Sequence, residues 1–216
     1  MKIRTTIIRH GKTQGNIVRC YSGCRTDEPL TDEGRNALCA VFGENEEDPA
    51  EVFVSPMIRT KETSGILFPG AEQVIVPEIR EMDFGSFEGK THAELSEYPE
   101  YQTWLDSGGA LKIPEGESLY LFRERVMDGF RKIVREAVQG GRLNAADNQS
   151  NIYIVAHGGT IMGVMNALTG KNYYDFWVDN GCGYTIDLEV DDAGNIIAAG
   201  SYDSFRGGVR AGSSDR

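Results

Sequence analysis

Ile3-Arg4-Thr5-Thr6-Ile7-Ile8-Arg9-His10-Gly11 is a short, largely apolar run that stops at a polar loop containing glycine. Such a run reads as a buried strand whose carboxyl end delivers Arg9 and His10. Asn151-Ile152-Tyr153-Ile154-Val155-Ala156 repeats the plan, ending in His157-Gly158-Gly159-Thr160 ahead of an apolar helix expected over Ile161 to Leu168. Between the two, Thr31-Asp32-Glu33 supplies a capping residue and first-turn acids for a helix with Leu38, Val41 and Phe42 on one face. Val52-Phe53-Val54 predicts another strand, followed by a helix from Ile58 to Leu67, and Gln73 to Val76 predicts a third. Strands alternating with helices predict an α/β fold, a three-layer sandwich around a mostly parallel central sheet.

The longest helix is expected from Ser118 to Val138, where Leu121, Phe122, Val126, Phe130, Ile133, Val134 and Val138 recur at helical spacing before a polar loop from Gly140 to Ser150. Tyr184 to Val190, a turn at Asp191-Asp192-Ala193-Gly194, and Ile196 to Ala199 read as an antiparallel hairpin at a sheet edge. Its exposed edge leaves room for a homodimer. Glu88 to Glu117, rich in Gly, Pro, acids and aromatics such as Tyr98, Tyr101 and Trp104, predicts a small inserted cap. Inside it, Thr91-His92-Ala93-Glu94 is a helix-capping pattern, which makes His92 a surface cap residue. The expected organisation is one domain over residues 1–205, with the cap at 88–117 and a disordered tail at 206–216.

A chain of 216 residues with 40% hydrophobic and 25% charged residues suits one globular domain with a full-sized core. The net charge of -11, with no Lys/Arg-rich block to offset it, argues against nucleic acid or an anionic membrane as partner. An anionic substrate would have to be attracted locally, which a Debye length of ~8 Å permits. No apolar run approaches the ~20 residues of a membrane span, and no targeting pattern precedes the first strand, so a cytoplasmic protein is expected. The four cysteines, Cys20, Cys24, Cys39 and Cys182, lack zinc spacing and read as buried or incidental thiols. No metal and no cofactor is expected.

Of the three histidines, His10 and His157 each follow an apolar strand and precede a glycine. In open α/β sheets ligands bind at the carboxyl ends of strands, so the two imidazoles converge if their strands are neighbours. An always-charged Arg9 beside His10 disfavours the imidazolium and keeps a neutral nitrogen able to attack phosphorus. Arg59, just past Val52-Phe53-Val54, brings a second guanidinium that can grip phosphate oxygens bidentately. Expelling an alkoxide calls for a general acid, and the loop Ile79 to Gly89 offers Glu81, Asp83 and Glu88, among which composition does not choose. Gly85-Ser86-Phe87-Glu88-Gly89-Lys90-Thr91 is not a nucleotide-binding P-loop, because its glycine spacing is one residue short and Glu88 would repel phosphate.

Taken in order, Arg9-His10-Gly11-Lys12-Thr13 with Asn16, Tyr21-Ser22-Gly23, Pro29-Leu30-Thr31 with Gly34, Ser55-Pro56 with Arg59-Thr60, Glu81 with Phe84-Gly85, Glu88-Gly89, Gly116-Glu117-Ser118 and Val155-Ala156-His157-Gly158-Gly159 resemble the histidine phosphatase superfamily. That family includes cofactor-dependent phosphoglycerate mutases and alpha-ribazole phosphatases. The resemblance implies that His10 accepts the phosphoryl group while Glu81 protonates the leaving alcohol, and that water then hydrolyses the phosphohistidine without a metal. It also implies that Arg9, Arg59 and His157 surround the transferring oxygens, with Asn16, Ser22, Gly23 and Gly158 as further phosphate contacts. Lys12 and Phe87 depart from common family wording, Lys12 by adding positive charge near the pocket mouth. Residues 82 to 118 hold no arginine and eight acids, unlike the mutase members, which favours hydrolysis of a small phosphorylated metabolite. The wording Arg80-Glu81-Met82-Asp83-Phe84-Gly85 looks most like alpha-ribazole phosphatases. A phosphoglycerate mutase and a catalytically silent phospholigand-binding module are the alternatives.

Overall fold

The computed structural model describes residues 1–42, 49–140, 150–206 and 209–210. Its strands are β1 (Lys2–Arg9), β2 (Glu51–Val54), β3 (Glu72–Ile75), β4 (Ser150–Ala156), β5 (Cys182–Val190), β6 (Ile196–Arg206) and β7 (Val209–Arg210). Its α-helices are α1 (Gln14–Val18), α2 (Asp32–Phe42), α3 (Ile58–Leu67), α4 (His92–Leu95), α5 (Pro99–Asp106), α6 (Leu119–Gln139) and α7 (Gly158–Thr169). Among the described residues the sheet runs in the order β3-β2-β4-β1-β5-β6-β7. The first four of these are mutually parallel; β5 runs antiparallel to β1, β6 to β5 and β7 to β6.

Alternation along the parallel strands sorts side chains into two cores. Ile3 and Ile7 of β1, Phe53 of β2 and Ile152 and Ile154 of β4 pack with Phe122, Val126, Phe130 and Ile133 of α6 and Ile161 and Val164 of α7. On the opposite face, Ile8, Val52, Val54, Tyr153 and Val155 pack with Leu38 of α2 and Leu67 of α3. Helices on both faces of a mostly parallel sheet make the expected three-layer sandwich. Leu38 is buried as its helical spacing predicts, whereas the side chains of residues 41 and 42 lie outside the described residues.

Differences from the expected elements have local causes. The hairpin is longer than its apolar runs, and its first strand docks antiparallel along β1, from Lys2 opposite Glu189 to Ile8 opposite Gly183. Helix α7 begins at Gly158 directly after His157, because the two glycines and Thr160 form its first turn rather than a loop. Arg206 ends β6 and Val209–Arg210 form β7 where disorder was expected, since both pair in the sheet. Residues 207, 208 and 211–216 of that tail, and 141–149 of the expected polar loop, lie outside the described residues.

Within the expected cap, α4 and α5 surround an aromatic cluster in which Tyr101 stacks on Trp104 and meets Tyr21 and Phe87 edge-on. Thr91 caps α4 with Glu94 as read, and exposed His92 adds a bond from Nδ1 to the Tyr101 hydroxyl at 2.8 Å. Among the described residues, no helix is long and apolar enough to cross a membrane.

Candidate active site

Parallel pairing sets Arg9 opposite Ala156, so β1 and β4 release His10 and His157 side by side. The His10 amide donates to the Ala156 carbonyl at 3.0 Å, and the two imidazole centroids stand 5.3 Å apart, edge to face. From the end of neighbouring β2, the Ser55 amide donates to Val155 at 3.1 Å and its Oγ lies 2.7 Å from His157 Nε2. Both imidazoles are buried, and so is the carboxyl of Glu81.

His10 Nδ1 lies 2.7 Å from the carbonyl of Gly11. A carbonyl can only accept, so Nδ1 carries the proton and Nε2 of the neutral ring keeps its lone pair. Burial holds the His10 pKa well below the ordinary 6.5, with Arg59 and then Arg9 adding to it. Desolvation, rather than the adjacent Arg9, therefore leads in keeping this imidazole neutral. His157 is lowered for the same reason, burial first and Arg59 second.

Arg59, in the first turn of α3, is fully buried, yet it donates to the carbonyls of Thr26 at 2.6 Å and Gly23 at 3.0 Å. Arg9 Nη1 donates to the Val178 carbonyl at 2.6 Å. Burial lowers the pKa of both arginines, while Glu81 opposes the shift. An arginine remains charged under such a shift. Arg9 Nε, Arg59 Nε and His157 Nδ1 are buried without hydrogen-bond partners among the described residues. Buried polar atoms left open are uncommon, and these three belong to residues that act on His10 by charge or by ring contact, which makes them an anion cradle.

Packing separates the three candidate acids. Asp83 pairs with Arg25 at 2.7 Å, and Glu88 accepts from the Gly23 amide at 2.9 Å and the Thr26 hydroxyl at 2.7 Å. Glu81 alone of the three faces the cradle, where its carboxyl accepts from the amides of Met82 at 2.9 Å and Gly159 at 3.1 Å. Burial raises its pKa, against the pull of those amides and of Arg59 and Arg9. A carboxyl shifted upward in this way is suited to donate a proton.

Asn16 Oδ1 accepts from the Thr13 amide at 3.2 Å, closing a capping box on α1, and from Asn180 Nδ2 at 2.9 Å. Among the described residues its Nδ2 remains as the free donor of that side chain. Gly158 heads α7, whose amino terminus carries partial positive charge toward the cradle. A Cβ at Gly158 would sit 3.5 Å from Arg9 Nε. Ser22 and Gly23 are engaged elsewhere: the hydroxyl of Ser22 reaches Glu28 at 3.4 Å, and Gly23 joins Glu88 to Arg59 through its amide and carbonyl. Lys12 points to solvent, where Glu33 meets its charge at 2.7 Å.

The sequence reading missed two supports. In the sequence Ser55 carries no signal beyond the Ser55-Pro56 motif, although its strand-end position matches that of the histidines. The loop from Asn172 to Gly181 carried no periodic signal. Yet Asn180 Nδ2 donates to the His10 carbonyl at 3.0 Å, the Gly181 amide to the Arg9 carbonyl at 3.1 Å, and the Tyr173 hydroxyl to the Gly159 carbonyl at 3.3 Å. Cys24, Asp83 and Glu88 offer potential metal-ligand atoms within 4.8 Å of one another, but both carboxylates already accept the bonds described above. Cys20, Cys24, Cys39 and Cys182 form no disulfide; Cys39 is exposed and the others are half-buried.

Known phosphatases resemble this chain along most of its length. The chain is 26% identical to the adenosylcobalamin/alpha-ribazole phosphatase of Salmonella typhimurium over 194 residues, 86% of this chain and 91% of that one. The crystal structure of the alpha-ribazole phosphatase from Shigella flexneri matches with a TM-score of 0.69 at 26% identity, covering 93% of this chain and 96% of that one. A mycobacterial glucosyl-3-phosphoglycerate phosphatase, 23% identical, shares the fold with a TM-score of 0.72 over 91% of this chain and 95% of its own. The family model described as histidine phosphatase superfamily (branch 1) matches residues 5–195, and the chain belongs to that family.

Proposed function

We propose that this protein hydrolyses phosphomonoesters of small metabolites through a phosphohistidine on His10, without a metal ion. The observation that carries this reading is the convergence of a neutral, buried imidazole with an open Nε2, the unpartnered nitrogens of Arg9, Arg59 and His157, and a protonatable Glu81.

His10 Nε2 attacks phosphorus as the P–O bond to the alcohol breaks, and Glu81 gives its proton to the departing oxygen. Glu81, now a carboxylate, takes a proton from water, and the hydroxide oxygen bonds to phosphorus as the P–N bond breaks. Inorganic phosphate leaves, and Glu81 is again protonated. Arg9 and Arg59 meet the charge on the equatorial oxygens, joined by His157, the Asn16 amide group and the Gly158 backbone. Ser22 and Gly23 contribute by carrying the loop that holds Arg59.

An arginine-free stretch from residue 82 to 118 supports hydrolysis over mutase chemistry, which must hold a second anionic group. The similarity to alpha-ribazole phosphatases supports an alpha-ribazole 5'-phosphate type of ester as one substrate. The test is hydrolysis of p-nitrophenyl phosphate in excess EDTA. Wild type is expected to turn it over and His10→Ala to be inactive. Robust activity in His10→Ala overturns the mechanism, and an inactive wild type on a broad phosphate ester panel returns the reading to a binding module.

A further inference from the structure

Arg125 of α6 makes the densest set of bonds of any residue without a role so far. Nε and Nη2 form a fork on Glu117, at 2.9 Å to Oε1 and 2.7 Å to Oε2. Nη1 donates to the carbonyls of Glu78 at 2.8 Å and Arg80 at 3.0 Å, and Nη2 also reaches the carbonyl of Glu81 at 3.4 Å. All five N–H donors of the guanidinium are thereby engaged. Glu117 grips the same loop from its other end: Oε2 accepts from the Asp83 amide at 2.9 Å, and the Glu117 amide donates to the Asp83 carbonyl at 2.9 Å.

The segment from Glu78 to Asp83 has one 3-10 turn at its start and no ladder beyond it, so its carbonyls depend on outside donors. Arg125 serves those of Glu78, Arg80 and Glu81, Thr160 Oγ1 of α7 serves Ile79 at 3.2 Å, and the amides of Cys24 and Glu117 serve Met82 at 3.1 Å and Asp83 at 2.9 Å. The pair is largely screened from solvent, with 16% and 17% side-chain exposure for Arg125 and Glu117. Phe122 packs its ring 5.3 Å from the guanidinium carbon. The backbone on both sides of Glu81 is thus tied to α6 through one ion pair.

We propose that Glu117 and Arg125 are positioning residues for the proton donor, setting where the Glu81 carboxyl stands relative to the leaving oxygen. The inference rests on Glu81 acting as general acid. Phenolates leave without a proton and alkoxides do not, so a displaced acid harms alkyl esters selectively. A pair that only stabilised the fold would harm both kinds of ester alike. Arg125→Lys keeps the charge but loses the fork, and Glu117→Gln keeps an acceptor for the Asp83 amide.

Both variants are to be assayed beside Glu81→Ala. The aryl probe is p-nitrophenyl phosphate; the alkyl probe is whichever of glycerol 3-phosphate, ribose 5-phosphate and 3-phosphoglycerate wild type turns over fastest. Thermal unfolding establishes which variants fold. In folded variants alkyl kcat/KM, which reports His10 phosphorylation and not the water step that both esters share, is expected to fall on the order of 10-fold and aryl kcat/KM to stay within about 3-fold of wild type, a fraction of the ~10²–10⁴ a positioned acid supplies. Equal losses on both probes, wild-type rates on both, or failure of both variants to fold overturns the positioning role. Glu81→Ala separates the layers. A larger selective alkyl loss in kcat/KM there upholds the acid, whereas equal kcat/KM losses in Glu81→Ala overturn the acid role itself.

Discussion

Ser55 Oγ lies 2.7 Å from His157 Nε2, and both side chains are completely buried. When the hydroxyl donates into Nε2, the ring proton resides on Nδ1, the nitrogen left without a partner among the described residues. In that tautomer Nδ1 is the nitrogen that can donate to a phosphoryl oxygen, and the serine sets it. Ser55→Ala is expected to reduce kcat about 10-fold, less than the ~10²–10³ lost with a whole transition-state donor, and to cost about 1 kcal/mol of stability. Steady-state kinetics with nitrogen NMR of the imidazole checks it. An unchanged tautomer and unchanged kcat would refute this role.

His10→Ala removes the nucleophile. It is expected to lower turnover by at least about 10³-fold, while Tm shifts little because the ring makes a single hydrogen bond of its own. Rapid quenching with a radiolabelled ester should trap acid-labile label on wild type and none on the variant. Label retained on His10→Ala would place the covalent intermediate on another residue.

Gly159 lies close to Glu81: a Cβ there would fall 2.4 Å from Glu81 Oε1 and 3.2 Å from the Phe122 ring. Gly159→Ala must push the carboxyl aside. Because a flexible side-chain end yields more cheaply than backbone, alkyl ester hydrolysis is expected to fall about 10²-fold while stability drops by only about 1 kcal/mol. Alkyl activity close to wild type would mean that Glu81 stands elsewhere during turnover.

The pH dependence follows from opposite shifts at the two reacting groups. His10 is held well below its ordinary 6.5, so the nucleophile stays neutral as the solution becomes acidic. Glu81 is raised, so its acid form persists above the ordinary carboxyl range and is lost as pH climbs through that elevated pKa. For an alkyl ester, kcat/KM should therefore decline with rising pH on a limb that p-nitrophenyl phosphate lacks. Matching profiles for the two esters would contradict proton donation by Glu81.

Stability carries its own signature. His10 and His157 bind protons less readily folded than unfolded, so their contribution is complete above the unfolded value of 6.5 and declines as pH falls from there toward the depressed folded values. Thermal unfolding across that window should show Tm falling with acidification, and less steeply in His157→Gln. A slope identical to wild type in that variant would assign the effect to other groups.

Sequence alone carried the strand-loop-helix order, the placement of His10 and His157 at strand ends, and the family resemblance. Each depends on short-range regularities: period along the chain, glycine at a turn, and motif residues close to one another. Tertiary structure decided the rest. It set β1 beside β4, without which two strand-end histidines need never meet, and it laid the last long hairpin antiparallel against β1. It gave Asp83 and Glu88 other partners and left Glu81 facing the cradle, a choice that the family resemblance implies and composition does not make. It also brought Asn180 to Asn16 across 164 residues of chain, a contact that no local pattern encodes. The reason is physical. Periodicity reports which side chains leave water, but a group's charge and proton depend on what is buried beside it, and only packing determines that.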